Sequence, residues 1–175
     1  MKLSLEEQLR ENVGGHLRID RLDQQMNLID TPVDDCNLIL NKGLQVIIDN
    51  LFDDSNFFPI TDMKLGDDTG TGTQQDPESP SVTYDENTMS VVYTSQQGNA
   101  VTVNKNTNYQ LTFNWIIFGY EVLDLPEYQD QDSVEFTSAA LHANDGRIFA
   151  YRRFPVVSIS DIINFSISWS IYYNV

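Results

Sequence analysis

Apolar residues recur at every second position through most of the second half of the chain, the spacing of strands with one buried face. The last run is the clearest. Ile163, Phe165, Ile167, Trp169, Ile171 and Tyr173 alternate with Asn164, Ser166, Ser168 and Ser170. Tyr109, Leu111, Phe113, Trp115 and Ile117 follow the same rhythm, as do Met89, Val91 and Tyr93. Val134, Phe136 and Leu141 mark a further strand. Asn144-Asp145-Gly146 predicts a tight hairpin, because Asn and Gly accept the left-handed backbone such turns need. Ile148, Ala150, Arg152 and Phe154 then open the returning strand. Gln97-Gly98-Asn99 predicts a second hairpin, leading into Val101 and Val103.

The N-terminal half reads differently. Ser4 and Glu7 stand at capping-box spacing and Leu5 and Leu9 lie one turn apart, which predicts a short helix over 3–12 ended by Gly14-Gly15. Residues 16–22 predict a strand with Leu17 and Ile19 on one face, and 26–29 and 36–40 predict two more. Between the latter lies turn material at 30–35, with Pro32 and three aspartates. The one long helix follows. Asn41 suits an N-cap, and Leu44, Ile47, Ile48 and Leu51 fall at i, i+3, i+4 and i+7. Residues 60–65 predict a short strand that runs into a stretch, 66–81, without a large apolar residue. A second acidic loop spans 124–132 around Pro126.

Short strands, hairpin turns, one helix and no strand–helix alternation predict a mainly β fold. The expected form is an antiparallel β-sandwich, or open barrel, with one packed α-helix and a short N-terminal helix or arm. The expected organisation is an arm over 1–15 and a single sandwich domain over 16–175, with long acidic loops at 66–81 and 124–132.

Charge narrows the function classes. Ten Lys and Arg against 26 Asp and Glu give a formal net charge of −16. Neutralising a phosphate backbone takes clustered cations, so no nucleic acid partner is expected; Arg147, Arg152 and Arg153 are the nearest approach to a cluster. The single cysteine, Cys36, rules out an intramolecular disulfide and, in its apolar run, is expected to be a small buried hydrophobe. No apolar stretch has signal-peptide or membrane-span length, so cytosolic synthesis and no membrane association are expected.

Candidate chemistry is sparse. His16 and His142 are the only histidines, and neither has a His or Cys partner at metal-ligand spacing; His142, beside a hairpin, is expected to be a surface or interface side chain. The run from Asp67 and Asp68 through Thr69, Gly70 and Thr71 lacks the alternating ligands of a calcium loop, and Glu127, Asp130 and Asp132 offer no closer match. There is no phosphate-binding glycine motif and no nucleophile elbow. No catalytic, cofactor-binding or metal residue is assigned, no cofactor is expected, and the chain is expected not to be an enzyme. Tyr84, Tyr120 and Tyr128 are the aromatics near loops that could stack on a sugar ring.

In the run from Asn37 to Leu51, an Asn and the Gly43-Leu44 pair open an amphipathic helix, and in that from Ile60 to Gly70 a strand ends in a Gly/Thr-rich loop. A hairpin from Ser138 to Pro155 ends in Phe154-Pro155, and Ser160 to Ile171 closes with Ser168-Trp169-Ser170-Ile171. Together these segments resemble bacteriophage tail and tail-fibre-associated proteins, although Ser138, Ala140 and His142 stand where that group carries an acidic residue and a glycine. The resemblance implies a virion structural protein of the tail, fibre, collar or baseplate, made in the host bacterial cytoplasm. Its implied partners are other virion proteins and copies of itself, as a trimer or ring. The alternatives are a module binding a host receptor or glycan at a fibre tip, or a capsid decoration protein.

Overall fold

The computed structural model describes residues 4–52, 58–67, 90–95, 101–107 and 109–174. Strand β1 (Val13–Leu22) follows directly on helix α1 (Leu5–Asn12), so Gly14 and Gly15 pair within the strand and do not end the helix. Next come β2 (Leu28–Ile39), α2 (Asn41–Phe52), β3 (Ile60–Asp67), β4 (Ser90–Thr94), β5 (Thr102–Thr107) and β6 (Gln110–Ile117). Helix α3 (Gly119–Leu123), β7 (Ser133–Ala143), β8 (Ile148–Ser160) and β9 (Asn164–Tyr173) complete the order.

The strands run β4-β3-β7-β8-β2-β1-β9-β6-β5, with every described pairing antiparallel. Strand β2 is the corner. From Leu28 to Asn37 it pairs with β1, and its last residues, Leu38 and Ile39, pair with β8. One sheet is therefore β2-β1-β9-β6-β5 and the other β4-β3-β7-β8. Their faces meet where Tyr93 of β4 stacks on Trp115 of β6 at 5.5 Å, and where Phe136 of β7 meets Phe165 of β9 edge-on at 5.9 Å. The chain is thus a mainly β sandwich of two antiparallel sheets with a packed helix, and no barrel closes. Phe165, Ile167, Trp169, Leu17 and Ile19 are wholly buried between the layers, on the face that their alternation predicts.

The structure changes several boundaries. Residues 28–39 are one strand, where two strands and a turn were expected. Pro32 is tolerated because it sits at a register irregularity, where Thr31 and Pro32 together face Asp20, and because the other edge of β2 meets β8 only at its end. Continuity fixes the parity of β2. Val33 points inward and Cys36 outward, so Cys36 is exposed and not buried. The hairpin expected at 97–99 lies outside the described residues, and the strands flanking it do not pair: β4 joins β3 and β5 joins β6, at opposite ends of the order. The loop expected at 66–81 begins later, because Gly66 and Asp67 pair with β4; residues 68–81 lie outside the described residues.

Helix α2 starts at Asn41 itself, with the Leu40 carbonyl accepting the Leu44 N–H. Its packed residues are Leu44 and Val46, with Ile47 and Ile48 half-buried, whereas Leu51 is 61% exposed and leaves the expected stripe. The hairpin at Asn144-Asp145-Gly146 forms as expected. Ala143 and Arg147 close it, and Gly146 takes the positive φ of 88°. Residues 119–123, not predicted as helical, form the short α3, and the acidic loop follows it.

Candidate functional site

The outer face of β1 and β2 carries a ladder of opposite charges. Antiparallel pairing puts His16 opposite Cys36 and Arg18 opposite Asp34. His16 Nε2 lies 3.1 Å from Asp34 Oδ1, and Arg18 Nε donates to both Asp20 oxygens at 3.0 Å. Thr31 donates to the same carboxylate at 2.6 Å; on the other face of the strands Arg21, opposite Phe165, forks onto Asp30, and Arg152 reaches from β8 to Asp35, opposite Leu17. The hydrogen bond from Arg21 holds the Asp30 carboxyl below the usual range despite some desolvation. The aspartates read as turn material are therefore the rungs of a register lock.

This ladder also places a thiol, an imidazole and a carboxylate side by side: Cys36, His16 and Asp34. The side chains of His16 and Asp34 are 40% and 49% exposed, on a strand face open to water. The His16–Asp34 contact ties β1 to β2 across this face.

The two ends of the β1-containing sheet differ in character. At the end where β1 starts and β9 finishes, α1 and α2 stand in for a strand over the inner face of β5, β6 and β9. Two adjoining cavities of about 420 Å³ each open there, sharing Ile47, Leu111 and Ile171. Val103, Phe113, Phe149 and Phe58 line the inner one, and Leu9, Tyr109 and Lys105 the outer. Asn50 is the polar side chain of the inner cavity, and Phe58 occupies it at both ends. Its Oδ1 accepts the Phe58 N–H at 2.7 Å and its Nδ2 donates to the Phe58 carbonyl at 3.0 Å. The cleft is apolar, with Lys105 as its charged rim.

At the opposite end the β1–β2 turn is held rigid. The Asp23 carboxylate accepts the N–H groups of Gln25 and Asn27 at 2.9 and 2.8 Å and the Asn27 amide besides, bonds that keep its pKa below the ordinary value. Met26 is thereby held at φ 66°, a left-handed conformation that costs a non-glycine residue free energy. Met26, Leu28 and Ile29 are all exposed, the last two at 57% and 51%. Asn164, 5% exposed, braces the turn from β9 by donating to the Asp23 carbonyl at 3.1 Å, while its Oδ1 accepts the Gly119 N–H at 3.0 Å. Ile162 and Tyr120 are exposed at the same end.

The remaining expectations fall as follows. His142 is buried, not superficial, because β7 runs between β3 and β8; its Nδ1 lies 3.3 Å from the Gly146 carbonyl oxygen. The three arginines do not form a basic patch, since Arg147 is paired with Asp49 and Asp145 and Arg152 with Asp35. Of the tyrosines, Tyr120 is 52% exposed, Tyr128 packs against the core, and Tyr84 lies outside the described residues. Glu127, Asp130 and Asp132 sit on the turns after α3, and among the described residues no three His, Cys, Asp or Glu converge as ion ligands.

Sequence reading missed Asn164, which sits among serines on the polar face of β9; only the fold brings Asp23 and Gly119 to it. The cleft was missed for the same reason, as α2, β5 and β9 are far apart in sequence. Inside the core, the hydroxyl of Tyr93 and the indole nitrogens of Trp115 and Trp169 have no hydrogen-bond partner among the described residues. Burial, helped by the Glu121 carboxylate and Tyr120, pushes the Tyr93 phenol up to about 12. No family model, no curated protein and no solved structure matches this chain.

Proposed function

We propose that the chain is a structural component of a bacteriophage particle, in the tail, fibre, collar or baseplate, working through contacts with other virion proteins and with copies of itself. The observation that carries this reading is where the resembling segments lie. The strand–helix run covers the end of β2 and most of α2, the strand of the second run is β3, and the hairpin is β7 and β8. These strands are neighbours in one stretch of sheet, β3-β7-β8-β2, with α2 lying on β8 at Gly43. Three of the four segments thus adjoin in one stretch of sheet, while the fourth, from Ser160 to Ile171, supplies β9 of the facing sheet.

The surface agrees with a contact role. Exposed apolar side chains collect at both ends of one sheet, while the charges of its outer face are spent on each other. Monomeric proteins seldom show apolar patches of this kind without a partner. Mass spectrometry of purified particles, followed by a density map of the intact particle, tests the reading. The chain should appear at a fixed stoichiometry and occupy density with rotational symmetry. Its absence from washed particles would sink the proposal.

A further inference from the structure

We propose that copies of this chain join head to tail, the exposed apolar side chains at and beside the rigid β1–β2 turn of one copy seating in the cleft between α2 and the β5–β6–β9 edge of the next. This rests on the assembly reading above and names both the partner and the geometry.

At the tip Met26, Leu28, Ile29 and Ile162 are exposed beside the amide side chains of Gln24, Gln25 and Asn27. The cleft is concave and apolar, and its own amide, Asn50, is already satisfied by Phe58, so an entering side chain need offer it no hydrogen bond. Rim charges match as well. Lys105 at the cleft mouth has no ion-pair partner among the described residues, and Asp161 is exposed beside Ile162 at the tip. In a chain of net charge −16, a lysine at the mouth of an apolar cleft favours an acidic visitor, and the chain's own tip is one.

Rigidity points the same way. Six hydrogen bonds from or to Asp23 and Asn27, with the brace from Asn164, hold the tip with Met26 in a left-handed conformation. A preordered tip loses little conformational entropy on docking. The tip and the cleft lie at opposite ends of β1, ten residues or about 33 Å apart, so one copy cannot fill its own cleft. Such a heterologous contact leaves a free tip and a free cleft after each addition, and it ends only when a ring closes.

The experiment uses two variants of the full chain. In the tip variant Leu28→Glu and Ile29→Glu are combined; in the cleft variant Val103→Glu and Lys105→Glu. All four positions are exposed, and circular dichroism with thermal melting verifies the fold of each. If the paired tip substitutions prevent folding, Ile162→Glu replaces them with the same expected outcome. In sedimentation velocity across a concentration series, the unaltered chain should associate and each variant alone should do so at least about tenfold more weakly. An equimolar mixture of the two should give a 1:1 dimer that grows no further, since only one good tip and one good cleft remain. Association of the variants equal to that of the unaltered chain, or a mixture that stays monomeric, overturns the head-to-tail contact. A chain that is monomeric at every concentration also overturns it. In each of these cases particle incorporation still decides the assembly reading separately.

Discussion

A Cβ built on Gly43 would stand 2.1 Å from the carbonyl oxygen of Phe149, so α2 meets β8 backbone to backbone. The same carbonyl accepts the N–H of Leu40 at 3.1 Å, which anchors the start of the helix at this crossing. Two effects oppose each other in Gly43→Ala. Alanine favours a helix interior by about 1 kcal/mol, whereas overpacking against an atom that cannot rotate away costs about 1–3 kcal/mol. The clash wins, because the obstacle is backbone. We expect Gly43→Ala to lose up to about 2 kcal/mol, read as a fall in Tm of about 2–4 °C per kcal/mol. An unchanged or raised Tm would mean that α2 does not lie this close to β8.

Asn164 bonds two backbone groups on elements far apart in sequence, the buried Gly119 N–H and the Asp23 carbonyl, which also accepts the Met26 N–H. Alanine there leaves the Gly119 N–H without its partner, a loss that costs about 1–3 kcal/mol. Urea denaturation of Asn164→Ala should therefore show a loss of about 1–3 kcal/mol. Hydrogen exchange should quicken in the 23–27 turn and at Gly119 before anywhere else. Uniform quickening across all strands would argue against a local brace.

Tyr93 predicts an alkaline weakness. Its phenol titrates at about 12 in the folded protein and near 10 when unfolded, because burial disfavours the phenolate. Between those values the folded chain keeps a proton that the unfolded chain has lost, so stability falls as pH rises from 10 toward 12, by a few kcal/mol at most. Tyr93→Phe should keep the stacking on Trp115 and remove a buried hydroxyl that has no partner among the described residues. Its stability at neutral pH should match or exceed the parent's, and its decline above pH 10 should be shallower. A Phe variant that is markedly less stable at neutral pH would show that the hydroxyl has a partner after all.

At the acid end the sign reverses. Asp30 is held below the ordinary carboxylate range by its hydrogen bond to Arg21. The stability it contributes is complete above the unfolded value of about 4 and is lost as pH falls through the lower folded value. Asp30→Asn should flatten the acid limb of a stability–pH curve and leave the limb above pH about 6 parallel to the parent's. The pair is partly exposed, so the difference should also shrink in high salt.

What the chain discloses locally, it discloses well. The alternation in β6 and β9, the Asn144-Asp145-Gly146 turn and the existence of α2 depend on neighbours within a few residues, and all are present. What failed depended on pairing. Pro32 and three aspartates read as a turn because nothing local says that the free edge of β2 will spare the missing N–H, or that the arginines of β1 will meet those carboxylates. A turn within 28–39 would decouple the parity of Cys36 from that of Val33, so the apolar run around Cys36 reads as burying a thiol that the continuous strand exposes. The Gln97-Gly98-Asn99 signal misled because a turn motif does not choose partners. Packing of Tyr93 on Trp115 draws β4 and β6 to opposite layers, and β5 follows β6. Neither the Asn164 brace nor the cleft has a local signature.

Arg147 joins three elements beside that cleft. Its guanidinium lies 2.5 Å from Asp49 of α2, 2.6 Å from Asp145 of the hairpin, and 4.8 Å above the ring of Phe58 at the entry to β3. Burial disfavours the charge, but the hydrogen bonds to Asp49 and Asp145 more than offset it, and its pKa rises above the ordinary arginine value. The side chain is 23% exposed, enough for the pairing to matter more than an open surface bridge. Arg147→Ala should cost about 1–3 kcal/mol, and Arg147→Lys should recover only part of it, since an ammonium cannot fork between two carboxylates while lying flat on a ring. A double-mutant cycle with Asp49→Asn should return a coupling of about 0.5–2 kcal/mol. Zero coupling at low salt would place the worth of Arg147 in its contacts with Asp145 and Phe58 instead.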